Sequence, residues 1–420
     1  MKVIIIGAGL SGLSTAIALR KYVKPRDNDQ LVVKVYEKSQ QRAESSDERR
    51  ARLGAGISLQ GNGLRILGDF DPVLKNRVHS AGYPCSHFKW KTAGNFLLGR
   101  EYLDVLPISR PVLIDCLLEV LPNDVLDYRT VSNVITRQGL KPIVQFEDGT
   151  EESADLVVGA DGIRSIVRRG LFGDNRDCHP EYLGISAVGG VLDIPIPQHL
   201  IDDPCLQFFM GSTGAFGYCG LTQTDRNKLL YWSIYETDLP EKGTQFDRNA
   251  AMQQLRDRHA SWSDPIISKC LENASVDHVY PIFVMPKIPL WGRDGCVLVG
   301  DAAHAMSPRS GQGGSQAFED AQTLGLLLAG HLAKHDIADS VSRTISGIYD
   351  IRRERVHRIR DKAMEWKDPK MPMSWLMTCV LYAYIFINTK VQYAITSVFG
   401  RAEDLWDAKA VVKKYLEYDS

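Results

Sequence analysis

Val3 to Ile6 is an unbroken β-branched apolar run, the pattern of a short central strand buried on both faces, and it passes directly into the small-residue turn GAGLSG. From Leu13 to Tyr22 apolar positions follow a helical pattern, and LVVKVYE then supplies a second strand ending at Glu37. An apolar run followed by a glycine-rich turn and a helical stretch returns twice, at DLVVGADGIRSIVRR (155–169) and at CVLVGDAAHAMSPRSGQGGSQAFEDA (296–321). Between these, residues 181–286 change character. ISAVGGVLDI, CLQFFMG, GAFGYCGLT and LLYWSIYE are short β-rich runs separated by polar turns, which predict an antiparallel sheet. Residues 346–366 read as a charged helix, and a strongly apolar run follows from Trp375 to Ile387. Those 13 residues fall short of the roughly 20 that a membrane span needs. A helix docked on the protein's own body or on a dimer partner is expected ahead of membrane insertion.

At 420 residues and 44% hydrophobic, the chain can bury a core large enough to surround a bulky ligand. Fifty Lys and Arg against 51 Asp and Glu leave no net field of the kind that gathers nucleic acid. The eight cysteines are scattered, without a Cys-x-x-Cys pair or a His spaced to complete a zinc site, so a reduced intracellular compartment, the cytoplasm, and no metal are expected. Residues 3–19 could pass for a signal peptide, but Gly7, Gly9 and Gly12 account for that stretch in another way.

In a strand-turn-helix setting, Gly7 permits a tight turn, Gly9 lets the backbone approach a pyrophosphate and Gly12 allows the helix to pack on the strand. Leu10 and Ser11 lie within the same turn. Glu37, followed by Lys38, lies 25 residues after Gly12, beyond the usual spacing of about 20 because of the polar loop PRDNDQ. A carboxylate there accepts hydrogen bonds from ribose hydroxyls and would repel a 2′-phosphate, so FAD or NAD is expected rather than NADP. A lone glycine turn is weak evidence; the two later turns carry the identification.

With these three motifs in order, the chain resembles the single-component flavoprotein hydroxylases, the family of p-hydroxybenzoate and salicylate hydroxylase. The resemblance runs from residue 1 to about 365, and EDLWDAKAV matches a C-terminal pattern of many members. It implies an α/β fold: a Rossmann-like FAD-binding domain of the glutathione-reductase type (1–75, 106–180 and 287–345), an interleaved antiparallel β substrate domain (76–105 and 181–286) and C-terminal helices (346–420). It assigns Asp161 and Arg164 to the dinucleotide, and Gly300 and Asp301 to the ribityl chain. Pro308, Gly311, Gly313 and Gly314 are assigned to a helix start facing the flavin pyrimidine. Gly54, Ala55 and Gly56 would let backbone pass beside the flavin ring. Arg110 is an expected FAD contact, with Ser109 also suited to cap the helix that follows. Arg168 and Arg169 read equally well as a solvated basic face, and His304 as a support for its strand rather than a catalyst.

The family places the β-rich segment over the flavin, which makes Gln207, Phe209, Phe216, Tyr218, Tyr231, Trp232 and Tyr235 candidate pocket residues, about half of which must point away because strands alternate faces. Salicylate-hydroxylase-like members often carry Trp-Arg where this chain has Val188-Gly189, so a larger apolar substrate is expected in place of a simple aromatic acid. The implied reaction has NAD(P)H reduce FAD, O₂ add at flavin C4a, and the hydroperoxide hydroxylate a small electron-rich molecule, aromatic or polycyclic. Epoxidation, Baeyer–Villiger oxidation and a non-catalytic FAD-binding or membrane-tethered protein stand as alternatives, and the chain is expected to be a monomer or homodimer.

Overall fold

A computed structural model describes residues 1–24, 30–38, 56–239, 247–276, 278–365, 372–399 and 406–418. The first apolar run becomes strand Lys2–Ile6, whose last four residues are buried, at the centre of a six-stranded sheet. Strands Leu156–Gly159 and Val32–Tyr36 flank it in parallel, Cys296–Leu298 continues the parallel set beyond Leu156–Gly159, and Leu126–Asp127 closes the other edge. A short antiparallel strand, Gly292–Arg293, completes the sheet. All three glycine turns therefore leave from the carboxyl ends of adjacent parallel strands, where α/β sheets collect their ligands. Helices Leu10–Tyr22 and Gly313–Leu332 lie together on one face, so close that a Cβ on Gly325 would sit 3.1 Å from the Ala18 backbone.

The second sheet has eight strands, running from Tyr280–Val284 through Glu181–Asp193, Lys228–Glu236, Gly214–Gly220, Leu206–Gly211, Cys85–Thr92 and Leu97–Ser109 to Gly56–Gln60. It is mixed rather than wholly antiparallel: Leu206–Gly211 pairs in parallel with Cys85–Thr92, because those two strands come from distant parts of the chain and no hairpin joins them. One face of this sheet is covered by helices Arg248–His259 and Pro265–Asn273, which bury Phe209, Phe216, Tyr218 and Tyr231 in a common core with Leu255, Trp262 and Ile267. A third sheet of three short strands, Val131–Ile135, Ile143–Phe146 and Glu151–Ser153, packs against helix Ile166–Phe172.

Two C-terminal helices differ from the sequence reading. The charged helix spans Ile337–Glu365, starts nine residues earlier than expected, and buries Arg352 completely. The apolar run continues as helix Trp375–Phe399. No helix among the described residues is long and apolar enough to cross a membrane.

Candidate functional site

At the first turn, Gly7 has φ +102°, and a Cβ there would lie 2.5 Å from the Ala160 carbonyl oxygen. A Cβ on Gly12 would lie 1.9 Å from the Gly7 oxygen. Both positions are closed by the protein itself. Gly9 is different: its φ is -78°, and an added Cβ would meet nothing within 4 Å. The open space in front of Gly9 is room for a ligand. The Glu37 carboxylate accepts a 2.9 Å hydrogen bond from the Ala8 N–H, fixing the strand end against the turn, while Lys38 is exposed. Leu10 is buried in the core, and Ser11 is half-buried.

At the second turn Asp161 accepts hydrogen bonds from the N–H groups of Ile166 at 2.6 Å and Val167 at 3.3 Å through one oxygen. Its other oxygen is buried without a hydrogen-bond partner among the described residues. Burial pushes this carboxyl up, against the hydrogen bonds from Ser165 and the helix N–H groups. Arg164 is exposed at the turn. Arg168, which the sequence left open as a solvated residue, is buried: it donates to the carbonyls of Ala302 at 2.7 Å, Cys178 at 3.0 Å and Ile163, tying the second turn to the third.

The third turn has two parts. Gly300, at φ +57°, ends its strand with no room for a side chain, since a Cβ would lie 2.0 Å from Ser11 Oγ. Asp301 follows as an exposed residue at the start of a short helix. Pro308 begins a single 3₁₀ turn that ends at Gly311 in the left-handed region, φ +59°, and helix Gly313–Leu332 starts two residues later. A Cβ on Gly313 meets nothing within 4 Å, whereas one on Gly314 would lie 2.9 Å from Ile57 Cδ1.

Both parts rest on a buried ionic network that the sequence reading missed. Asp320 accepts from the Gly300 N–H at 2.8 Å and from Arg352 Nε at 2.9 Å, and it bonds His304 Nε2 at 2.6 Å. Next to it, Glu319 accepts from Arg352, from Arg355 at 2.7 and 2.8 Å, and from Asn62 Nδ2 at 2.7 Å. Asn62 also donates to Gln312 at 3.0 Å, Gln312 donates to Gln60, and Gln60 Nε2 reaches the Gly311 carbonyl at 3.3 Å. Trp406 lays its ring over the guanidinium groups of Arg352 and Arg355 at 5.3 and 5.1 Å. Burial acts to raise the Asp320 carboxyl, but His304, Arg352 and the Gly300 N–H outweigh it and hold the group down at about 2. His304 is thus tied to a buried carboxylate beneath the turn. The signal for the arginines was available: Ile345, Ile348, Arg352, Arg355, Val356 and Ile359 fall on one helical stripe.

Arg110 begins helix Arg110–Leu118 with its Nε buried and without a hydrogen-bond partner among the described residues. Ser109 occupies the cap position but makes no capping hydrogen bond through its side chain. Gly54 and Ala55 lie outside the described residues. Gly56 opens a strand, and a Cβ on it would press 2.8 Å from a Leu230 methyl. That strand ends at Gln60, below Gly311, so the sheet face carrying Leu230 adjoins the glycine turns.

Register assigns the aromatic candidates to faces. Gln207, Tyr218 and Tyr231 pair across the sheet, as do Phe209, Phe216 and Ser233, and these rows, with Tyr235, share the face buried under the two helices. There Phe209 stacks on Tyr218, Tyr218 donates to Asp264, and the Arg258 guanidinium lies 3.3 Å over Tyr235. Of the seven candidates, Trp232 alone is on the Leu230 face. Its row reads Gly189, Trp232, Gly217, Phe208, Trp90. The Trp232 indole covers Gly217, where a Cβ would lie 2.3 Å from the ring, and Trp90 stacks on Phe208 at 4.8 Å. Phe208 and Trp90 were missed because alternation alone does not say which parity faces the ligand. Gly189, the position where the resemblance anticipates Arg, belongs to this uncharged row.

Replacing Asp320 by Asn leaves Arg352 and His304 underpaired in the interior. A destabilisation of about 3–5 kcal/mol is expected in denaturant titration. Because the folded carboxyl lies below its unfolded value, its contribution is present above about pH 4 and is lost as pH falls toward 2. Wild type should therefore converge on the Asp320→Asn variant below pH 4; a constant gap between them from pH 7 to pH 2 would contradict this.

Open space at Gly9 and Gly313, an exposed Asp301 and the orphaned polar atoms of Asp161 and Arg110 all fit a phosphorylated, hydroxyl-rich ligand such as FAD. The FAD binding domain family matches residues 126–343, just over half of the chain. The chain is 26% identical over 391 residues to a salicylate hydroxylase of Pseudomonas putida, covering 87% of this chain and 84% of that protein. It is 28% identical over 340 residues to 6-hydroxynicotinate 3-monooxygenase of Pseudomonas fluorescens, covering 77% and 81%. The fold matches Klebsiella pneumoniae HpxO, solved with FAD and uric acid, at a TM-score of 0.75 and 21% identity over 94% of this chain and 96% of that one. The chain belongs to the FAD binding domain family and, within it, to the single-component flavoprotein hydroxylases, which makes it a flavin-dependent monooxygenase.

Proposed function

We propose that the three turns hold FAD along its length and that the Trp232 row presents an uncharged aromatic or polycyclic substrate to it. Bound FAD, reduced by NAD(P)H, would supply the activation of O₂. The observation that carries this reading is the contrast among the first glycines, two closed by protein and one, Gly9, open in front. Gly9 backbone would meet the pyrophosphate together with Ser11 and Leu10 N–H groups at the helix start, where the dipole favours anions. Glu37 would exchange part of its hold on Ala8 for ribose hydroxyls. Asp161, Arg164 and Arg110 would bind polar groups along the cofactor, with the buried atoms of Asp161 and Arg110 gaining partners. Asp301 would take the ribityl chain, and the Gly311–Gly314 backbone would face the flavin pyrimidine, where N–H donors stabilise the negative charge of the reduced ring.

On the substrate side, Gly189, Phe208 and Trp232 offer a flat, apolar surface, beyond which helix Trp375–Phe399 covers Trp90. Such a surface orients a planar substrate by stacking and keeps water from the reacting atoms. The Gly189 position provides no cation for a carboxylate. The relatives named as acting on salicylate and 6-hydroxynicotinate support aromatic hydroxylation as the reaction class.

Gly9→Leu should fold with an unchanged melting temperature, because its side chain enters open space, and should bind FAD at least tenfold more weakly by fluorescence titration. Equal affinity would remove the pyrophosphate assignment. For turnover, NAD(P)H consumption should be stimulated by neutral phenols, indoles or polyketides more than by benzoates, and Trp232→Ala should raise KM for the best substrate about tenfold, as expected for losing about 1.4 kcal/mol of stacking. Stimulation confined to aromatic acids, or by no compound of the panel, would overturn the substrate reading.

A further inference from the structure

Helix Trp375–Phe399 has one charged residue, Lys390, in 25. Among the described residues it touches the rest of the protein along one seam, at the edge of which Tyr393 meets the Tyr102 ring at 5.6 Å. Leu381 and Ile385 pack with Met373, Trp90, Leu98 and Met210, the Tyr382 hydroxyl donates to the Met210 carbonyl at 2.9 Å, and Thr389 fits over Gly99, where a Cβ would lie 2.0 Å from its hydroxyl. At 3.6 residues per turn, the seam positions 378, 381, 382, 385, 389, 392 and 393 span about a third of the circumference. Around most of the remainder the helix is exposed and apolar: Trp375 is 80% exposed, Leu376 64%, Ile387 60%, Val380 55% and Phe386 50%.

The width of this arc decides what covers it. A partner helix, or the same helix of a second copy, buries a stripe of roughly 100°. Together with the exposed Met377, Val391 and Ile395, these residues span roughly 200° of the circumference, so pairing with a second copy leaves a large part of the apolar arc in water. A single monomer rarely exposes a contiguous apolar patch beyond about 300–600 Å², and five side chains exposed by half or more, Trp and Phe among them, approach or pass that size before Met377, Val391 and Ile395 are added. A medium that wraps a protruding helix on three sides satisfies the whole arc. Lipid does so, and a helix too polar or too short to span can lie in the interface with its apolar sides among the acyl chains. Lys390 is long enough to carry its ammonium back to the headgroups.

We infer that helix Trp375–Phe399 is a monotopic lipid-binding element that seats the enzyme on a membrane surface without crossing it. The attachment is driven by apolar burial, so it holds on zwitterionic lipid. Its seam packs against Trp90 and Met210, on the sheet face that carries Trp232, so the lipid surface and that aromatic face lie on the same side of the sheet.

The test uses the full chain loaded with FAD and sedimented with phosphatidylcholine vesicles. Wild type is expected to partition onto them, and the double substitution Leu376→Glu with Ile387→Glu should lower the partition coefficient at least tenfold. Both side chains are exposed, so the variant should retain the melting temperature and flavin absorbance of wild type; a variant that loses either is replaced by Leu376→Gln with Ile387→Gln, read in the same way. Wild type that stays in the supernatant at excess vesicle overturns the proposal. So does a dimer in light scattering that the substitutions convert to monomer while wild-type vesicle binding is absent, since that assigns the arc to a second copy. Binding confined to vesicles containing phosphatidylserine and insensitive to the substitutions also overturns it.

Discussion

Asp320 holds the Gly300 amide, and most of the candidate site depends on that contact. A carboxylate with no exposure is expensive to bury, and an unpaired one would not stay ionised. It remains ionised because Arg352 and His304 surround it, and Arg352 in turn is shared with Glu319, which Arg355 and Asn62 complete. Two acidic and two guanidinium groups thus neutralise one another at the centre of the molecule. The geometric consequence is more important than the net energy. Gly300 hangs from one end of the network and Gly311 from the other, through Gln60, Gln312 and Asn62, so the two turns are held at fixed separation by hydrogen bonds that each have a direction. Trp406 covers the arginines, which links the C-terminal segment to the same site.

A second constraint is the strict alternation of the eight-stranded sheet. One parity builds a core under helices Arg248–His259 and Pro265–Asn273, with the aromatic rings of Phe209, Phe216, Tyr218 and Tyr231 fully buried. The other parity keeps Phe208, Trp232 and Trp90 half-buried on the side that adjoins the glycine turns. Sheet residues of one chemical type thereby do two jobs: one set stabilises, and the other provides a surface. Gly189 and Gly217 flank Trp232 in its row and leave room for its indole to lie flat.

Features that depend on local spacing were legible in the sequence. Gly7, Gly300 and Gly311 stand at positive φ and Gly12 where a Cβ would strike the Gly7 carbonyl, and strand, turn and helix follow within a few residues of each. The network was not legible, because Asn62 and Gln60 lie some 250 residues from Glu319 and Gln312, and because Arg352 and Arg355 stand among so many other charges that composition does not single them out. Two local irregularities did mark it. Glu319 and Asp320 are the two carboxylates of a mostly apolar helix, and the two arginines fall on the apolar stripe of theirs. The pocket candidates failed for a simpler reason. Tyr218 and Trp232 are equally aromatic and equally β-prone, and only register distinguishes the face that is already filled from the face that is available.

The most direct measurement is FAD affinity in Arg352→Lys, which preserves the charge but cannot reach Asp320, Glu319 and Gln316 at once. Titrated under conditions where both proteins are folded, the variant should bind FAD about tenfold more weakly than wild type, the loss that corresponds to about 1.4 kcal/mol. Equal affinities would show that the turns hold their positions without the network, and a wild type that binds no FAD would contradict the account as a whole.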